Sequence, residues 1–310
     1  MNASTLTSAD STAAAIQPLH SYYTEHGYAL VRSVVPHHLI DRLLTVYARD
    51  VVPSKHRFFR QSTDRYERNK LTQRGYVRQS FLDIHDYRSY SEFSAAARDI
   101  YCSKELLHTL NEVTGYDQHN LMQTMLFDLN TATWPHQDWY YLDSVPNGHL
   151  IAVWIALENI EEQAGRFYVM PDSHAVDFRP KEPGVTLDTW VARVRTYVEQ
   201  NRSSLYAPAL EKGDVLLWNS RTVHGSLPTQ DETYSRKSLT AHYLPSHLEF
   251  GNLFATRRNL NYKTFAGVQC YRNQPDYSVT NHLRAIVKSM AYNYPALREM
   301  LRKLRTKVES

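Results

Sequence analysis

Only two cysteines, Cys102 and Cys270, occur among the 310 residues. By themselves they build neither a disulfide framework nor a zinc site, and they favour a reducing compartment. No stretch approaches the ~18 consecutive apolar residues of a membrane-spanning helix. A long basic tract is missing too: 35 Lys and Arg face 32 Asp and Glu, a formal net charge of +3, which argues against a nucleic-acid partner. The opening residues, Met1 to Ala15, are small and polar. They lack the basic start and apolar run of a secretory signal. No internal repeat is present. These absences point to a cytoplasmic protein with no membrane or nucleic-acid partner, and leave its oligomeric state open.

What is present suits one large globular unit. Hydrophobic residues make up 42% and charged residues 22%, within the range of soluble domains. Residues 1–15 read as a disordered tail and 16–310 as a single domain. Tyr, at 22 residues, outnumbers Phe at 10 and Trp at 5. A ring with a hydroxyl suits a core that meets a polar cavity.

Residues 16–34 read as a short helix, a turn at Gly27, and a strand from Tyr28 to Val34. Pro36 opens a helix through about Val51, with Ile40, Leu43, Leu44 and Tyr47 on one face. Residues 53–80 carry Lys55, Arg57, Arg60, Arg65, Arg68, Lys70, Arg74 and Arg78 and read as a long loop. Two helices follow, Ser91 to Tyr101 and Ser103 to Thr114, with Ser103 as N-cap and Gly115 as stop. Six short runs then read as strands: Leu121–Leu129, His149–Glu158, Arg166–Met170, Asp214–Trp218, Thr222–Ser226 and Arg236–Leu244. Leu187–Asn201 has a helical pattern, and Val279 to Val308 reads as one or two helices broken before Pro295. The fold this predicts is mainly β with flanking helices: a double-stranded jelly roll with its core at about 119–245.

Within this frame His136-Gln137-Asp138 places an imidazole and a carboxylate two residues apart, on the same side of an extended chain. With 15 histidines, roughly one such pair is expected by chance, so the motif alone also fits a hydrogen-bonded surface turn. His224 follows on a later strand, and Ser226 shares its face. Two histidines and one carboxylate with open positions form the metal face of non-haem Fe(II) oxygenases, which must also seat O2 and a chelating co-substrate. Beyond it, Arg236, Ser238, Thr240 and His242 alternate with Leu239, Ala241 and Tyr243. A polar strand face opening on Arg236 suits an anionic ligand; a salt bridge to a protein carboxylate is the plainer account.

These residues resemble the phytanoyl-CoA dioxygenase family of Fe(II)/2-oxoglutarate oxygenases. The likeness runs from about Tyr22 to Pro245. It takes in Gly27-Tyr28, His136-Gln137-Asp138, Trp154-Ile155-Ala156-Leu157-Glu158, Gly165-Arg166-Phe167, Pro171-Asp172-Ser173-His174, Gly213-Asp214, His224-Gly225-Ser226 and Arg236. The resemblance implies a jelly-roll core, iron on His136, Asp138 and His224, and the distal carboxylate of 2-oxoglutarate on Arg236 and Ser226. It also places Trp154 and Gln123 near the co-substrate. Gln137 is a weaker candidate, because its side chain should leave the strand on the opposite face. For Trp154, core packing is the alternative, although Ala152 and Ala156 beside it leave room for a ligand. Asp172 stands where the family usually has Gly, and Asp tolerates turn geometry.

The implied activity is dioxygenation with release of succinate and CO2. Because Asp138 completes the metal face, hydroxylation is expected rather than halogenation; desaturation and ring closure share its first step. The expected substrate is a polar or anionic small molecule, with Arg74 or Arg78 of the basic loop meeting a carboxylate or phosphate on it and Tyr140 and Tyr141 lining the same mouth after the metal motif. Solvated charges and ordinary rim packing are the alternatives for these four. A non-catalytic jelly-roll binding protein, and a metal enzyme of this fold that does not use 2-oxoglutarate, are the competing functions.

Overall fold

The computed structural model describes residues 18–61, 63, 65–178, 187–272, 283 and 286. The expected N-terminal tail lies outside the described residues, as does almost all of the helical stretch from Val279 to Val308.

Helix α1, Leu19–His26, ends where Gly27 takes a left-handed φ of 75°. Strand β1 follows at Tyr28–Val31. It stops short of the expected Val34 because Ser33 turns to a positive φ of 54°, its N–H donating to Asp214 Oδ1 at 2.9 Å. Helix α2, His37–Val46, runs on into a π-turn at Tyr47–Val51, so the reach from Pro36 to Val51 is as expected.

The basic segment is not one loop. It contains the hairpin β2–β3, Phe58–Arg60 with Arg65–Glu67, and leads to a short strand β4, Phe81–Leu82. Helices α3, Ser91–Tyr101, and α4, Lys104–Thr114, follow. The Ser103 hydroxyl caps α4 by accepting from Leu106 N–H, and Gly115 ends it at φ 74°. The remaining elements are β5 His119–Phe127, β6 Asp143–Val145, β7 Ile151–Ala156, β8 Phe167–Val169, α5 Leu187–Gln200, β9 Val215–Asn219, β10 His224–Ser226, β11 Ser238–Pro245, β12 Glu249–Gly251, β13 Tyr262–Phe265 and β14 Val268–Tyr271.

The major sheet has the order β1-β9-β7-β11-β5-β14-β13, with β4 also paired to β5. Opposite it lie the pairs β8–β10 and β6–β12. Alternation along the strands gives each face of the major sheet its own core. Ala29, Val31, Val153, Ile155, Val215, Leu217, Leu239 and Ala241 join α2, α3 and α4 on the outer side. Their neighbours Tyr28, Leu30, Ala152, Trp154, Ala156, Leu216 and Trp218 pack inward with Phe167 and Val169 of β8. Each fully buried aliphatic side chain contributes roughly 1.5–3 kcal/mol, so both faces are strongly specified.

One irregularity matters. The register of β11 against β5 shifts between His242, opposite Gln123, and Tyr243, opposite Leu121. Met122 is the extra residue of this bulge, and it packs in a separate cluster with Leu142, Leu150, Leu244 and Phe250. Bulges re-aim side chains at the rim of a barrel. Here Gln123, Met125 and Phe127 face the interior cavity while Leu121 joins the outer core. The result is the expected double-stranded β-helix. Among the described residues no helix is long and apolar enough to cross a membrane.

Candidate metal and co-substrate site

His136 lies in the segment after β5 and forms an antiparallel bridge with His224, each N–H donating to the other's carbonyl at 3.0 Å. This bridge brings the two imidazoles together, ring centroids 4.3 Å apart. Gln137 is extended, and Asp138 then opens a single 3-10 turn, Asp138–Tyr140. Each imidazole has its Nδ1 engaged, His136 with Trp134 O at 2.8 Å and His224 with Thr222 O at 2.9 Å. A backbone carbonyl only accepts, so Nδ1 carries the proton and Nε2 is left with a bare lone pair.

Both bare nitrogens face Asp138 Oδ1, at 3.7 Å from His136 and 3.5 Å from His224. Those separations suit three ligands around a shared cation, and the three side chains offer ligand atoms within 4.8 Å of one another. Burial holds the His224 imidazole down to about 4 against the pull of Asp138, so it is neutral near pH 7. For the fully buried Asp138 carboxyl, burial pushes upward but is outweighed by His224, His242 and His136, which hold it well below the usual carboxylate range. A neutral His224, free Nε2 atoms on both rings and an ionised carboxylate are what a divalent metal needs. The donor set therefore fits Fe(II).

The ligands line a cavity of about 520 Å³ that also contains Arg236. Arg236 is 2% exposed. Its Nη1 donates to Gly165 O and to Ser226 Oγ, both at 2.9 Å, and its Nε has no partner among the described residues. Burial pulls this guanidinium down to about 9, still protonated at neutral pH. A buried cation bonded only to neutral acceptors is costly; a carboxylate entering the cavity would relieve it. The salt bridge to a protein carboxylate, left open by the sequence, is not made among the described residues. Gly165 shapes this end: its φ is 78°, and a Cβ there would lie 2.4 Å from Asn130 Nδ2 and 2.6 Å from Leu227 O.

Of the other expected residues, Gln123, Trp154 and Tyr141 line the cavity, and Ser226 reaches it through its bond to Arg236. Trp154 stacks on Phe167 with centroids 6.0 Å apart, and the Arg236 guanidinium lies 6.0 Å from its ring. Four candidates lie elsewhere. Gln137 is fully buried on the far side, donating to Arg221 O and accepting from Trp139 Nε1 at 2.7 Å. Tyr140 packs on Trp190 and Phe254. Arg74 and Arg78 are exposed. Arg78 instead faces Glu232 at 3.7 Å. The physical reason for Arg78 is the alternation around Val77, which is buried with its N–H on Asp128 Oδ2. Its neighbour Arg78 is thereby turned outward. From this segment Gln61 and Ser80 reach the cavity instead.

Sequence reasoning missed Trp134 and Trp218 as cavity residues, whereas Thr240 and His242 lie on the polar face it had sorted with Arg236. Period two from Arg236 was the signal for Thr240 and His242; nothing local marked Trp218. Asp172 takes the left-handed conformation that glycine favours, at φ 65°, with its Oδ1 held by His26 Nδ1 at 2.8 Å.

A family model for phytanoyl-CoA dioxygenase (PhyH) matches residues 23–238. The peroxisomal phytanoyl-CoA dioxygenase of Bos taurus is 22% identical over 251 residues, spanning 74% of this chain and 68% of that protein. Among solved structures, EctD from S. alaskensis with 2-oxoglutarate and 5-hydroxyectoine aligns with a TM-score of 0.56 at 16% identity, covering 86% of this chain and 91% of that one. The non-heme alpha ketoglutarate dependent carbocyclase SnoK from nogalamycin biosynthesis also reaches 0.56, at 14% identity, with 78% and 88% covered. These two structures share the fold. The family match spans most of the chain, which therefore belongs to the phytanoyl-CoA dioxygenase family and so to the Fe(II)/2-oxoglutarate-dependent oxygenases.

Proposed function

We propose that this chain hydroxylates an uncharged, polar small molecule, with His136, Asp138 and His224 holding Fe(II) and Arg236 and Ser226 holding 2-oxoglutarate. The observation that carries the reading is one cavity containing both a 2-His-1-carboxylate set and a buried guanidinium with no carboxylate partner. Fe(II) with 2-oxoglutarate and O2 supplies an oxidant able to take hydrogen from a C–H bond, as 2-oxoglutarate leaves as succinate and CO2.

The chain's own residues do the rest. Arg236, braced by Gly165 O and Ser226 Oγ, fixes the far carboxylate of the co-substrate and so aims its other end at the metal ligands. Trp154 and Phe167 wall that passage with aromatic surface and exclude water, which strengthens every charge interaction inside. The backbone carbonyl of Trp134 fixes the imidazole of His136, as that of Thr222 fixes His224, and so each Nε2 is kept free for the metal.

The substrate class follows from the remaining lining. Among the described residues around the cavity, Arg236 is the single Lys or Arg, and it is committed to the co-substrate in this reading. Gln61, Ser80, Gln123, Thr131, Thr133 and Tyr141 offer neutral hydrogen-bonding groups, with Trp134 and Met125 as apolar surface. An anionic substrate would find no counter-charge there.

The test is an anaerobic titration with Fe(II) and then 2-oxoglutarate, following the weak visible charge-transfer band of the chelate. The band is expected in the wild type and absent in Asp138→Ala and His224→Ala. Iron binding without a band would favour a metal enzyme that does not use 2-oxoglutarate. No iron binding would leave a jelly-roll binding protein. A substrate screen read by succinate release then tests uncharged polar compounds against carboxylates and phosphates; stimulation by the anions alone would overturn the substrate class.

A further inference from the structure

The two oxygens of Asp138 keep different company. Oδ1 faces the bare Nε2 atoms of His136 and His224. Oδ2 accepts a hydrogen bond from the indole Nε1 of Trp218 at 2.9 Å, and lies 3.5 Å from His242 Nε2. The indole is held from several sides. Trp218 sits on β9 between Tyr28 of β1 and Ala152 of β7. Its ring packs against Phe167, centroids 5.0 Å apart, and against the ligand His224, 4.8 Å apart. One side chain thus touches two of the three ligands.

A carboxylate binds a cation through one oxygen or through both. An indole N–H only donates and carries no titratable proton near neutrality, so its hold on the orientation of that oxygen does not vary with pH. His242 stands behind it, with its Nε2 3.5 Å from the same oxygen.

We infer that Trp218 is a positioning residue that holds Oδ2 of Asp138 away from the metal, so that Asp138 binds through Oδ1 alone. The consequence is a free coordination position. A two-toothed Asp138 together with a chelating co-substrate would fill the metal and leave nowhere for O2. The inference rests on the reading that His136, Asp138 and His224 hold a divalent metal, and it adds the residue that sets how many positions remain open.

The probe is Mn(II), with 2-oxoglutarate saturating, and the readout is the water-proton relaxation rate, which counts water exchanging on the metal. Three proteins are compared: wild type, Trp218→Phe, and protein carrying 3-benzothienylalanine at position 218. The last keeps the shape of the indole and removes only the donor. Each substitution is also made with His242→Phe, so that the neighbouring ring cannot replace the lost contact. The count is expected to fall from about one in the wild type to about zero in the variants, as a facial triad with a second carboxylate tooth requires. Mn(II) affinity should be unchanged or tighter, which distinguishes a change of binding mode from damage to the site. If the benzothienyl protein with His242→Phe keeps the wild-type count, Trp218 has no hold on the carboxylate and the inference is wrong, whatever Trp218→Phe does to folding. If the wild type fails to bind Mn(II), the metal reading falls first and takes this inference with it.

Discussion

Arg236→Met is the most informative single change, because it should improve the apo protein while ruining the site. The guanidinium is 2% exposed and, among the described residues, bonded only to Gly165 O and Ser226 Oγ. Burial pulls its pKa to about 9. Against an ordinary value of about 12.5, at 1.36 kcal/mol for each tenfold change, keeping it charged costs on the order of 5 kcal/mol. Met fills similar volume without charge. It leaves the Gly165 carbonyl without this donor, a loss of about 1–3 kcal/mol. The net expectation is a gain of about 2–4 kcal/mol in unfolding free energy, in line with other replacements of buried charges by apolar groups. Co-substrate binding should move the opposite way. Removing one partner of a buried hydrogen-bonded charge pair costs about 2–5 kcal/mol, so the Kd for 2-oxoglutarate should rise by roughly 30-fold to several-thousand-fold. Urea unfolding of the metal-free protein gives the first number. Calorimetric titration of 2-oxoglutarate into the Mn(II)-loaded protein gives the second, with Mn(II) affinity itself unchanged. A variant that is less stable and binds 2-oxoglutarate normally would make Arg236 a structural residue and refute the reasoning.

Two further expectations come from the same end of the cavity. Because burial pulls the guanidinium down to about 9, 2-oxoglutarate affinity should be flat from pH 7 to 8. Above about pH 9 it should weaken toward tenfold per pH unit, as the unliganded arginine must first regain a proton that the carboxylate pair requires; an affinity that stays flat to pH 10.5 would contradict the assignment. Gly165→Ala puts a Cβ against the Leu227 carbonyl at a left-handed φ. It should cost more than about 1 kcal/mol of stability and also weaken 2-oxoglutarate, since the Gly165 carbonyl braces Arg236. Thermal unfolding with and without co-substrate separates the two effects.

The strands were legible because alternation is a local property. Ile151, Val153 and Ile155 against Ala152, Trp154 and Ala156 could be sorted to two faces without knowing what covered either. The helix stops at Gly27 and Gly115 and the cap at Ser103 were equally local. The basic segment was misread for a related reason: charge at Arg60 suggested solvent, yet Arg60 is fully buried, donating to Ser80 O and Asn69 Oδ1 and lying 4.3 Å from the Phe81 ring centroid. Its partners lie 9 to 21 residues further along the same segment, at separations no local period announces.

The sequence by itself determined the ligand types, their order, and the alternation that turns Arg236, Thr240 and His242 to one face. A period of two is enough for that. The tertiary structure alone decided which atoms meet. The bridge between His136 and His224 sets the two imidazoles 4.3 Å apart, and the bulge at Met122 brings Gln123 opposite His242. The packing of β9 between β1 and β7 carries the Trp218 N–H to Asp138 across 80 residues of sequence. Such contacts depend on distances between strands that are not neighbours in the chain, and only the packed core fixes those.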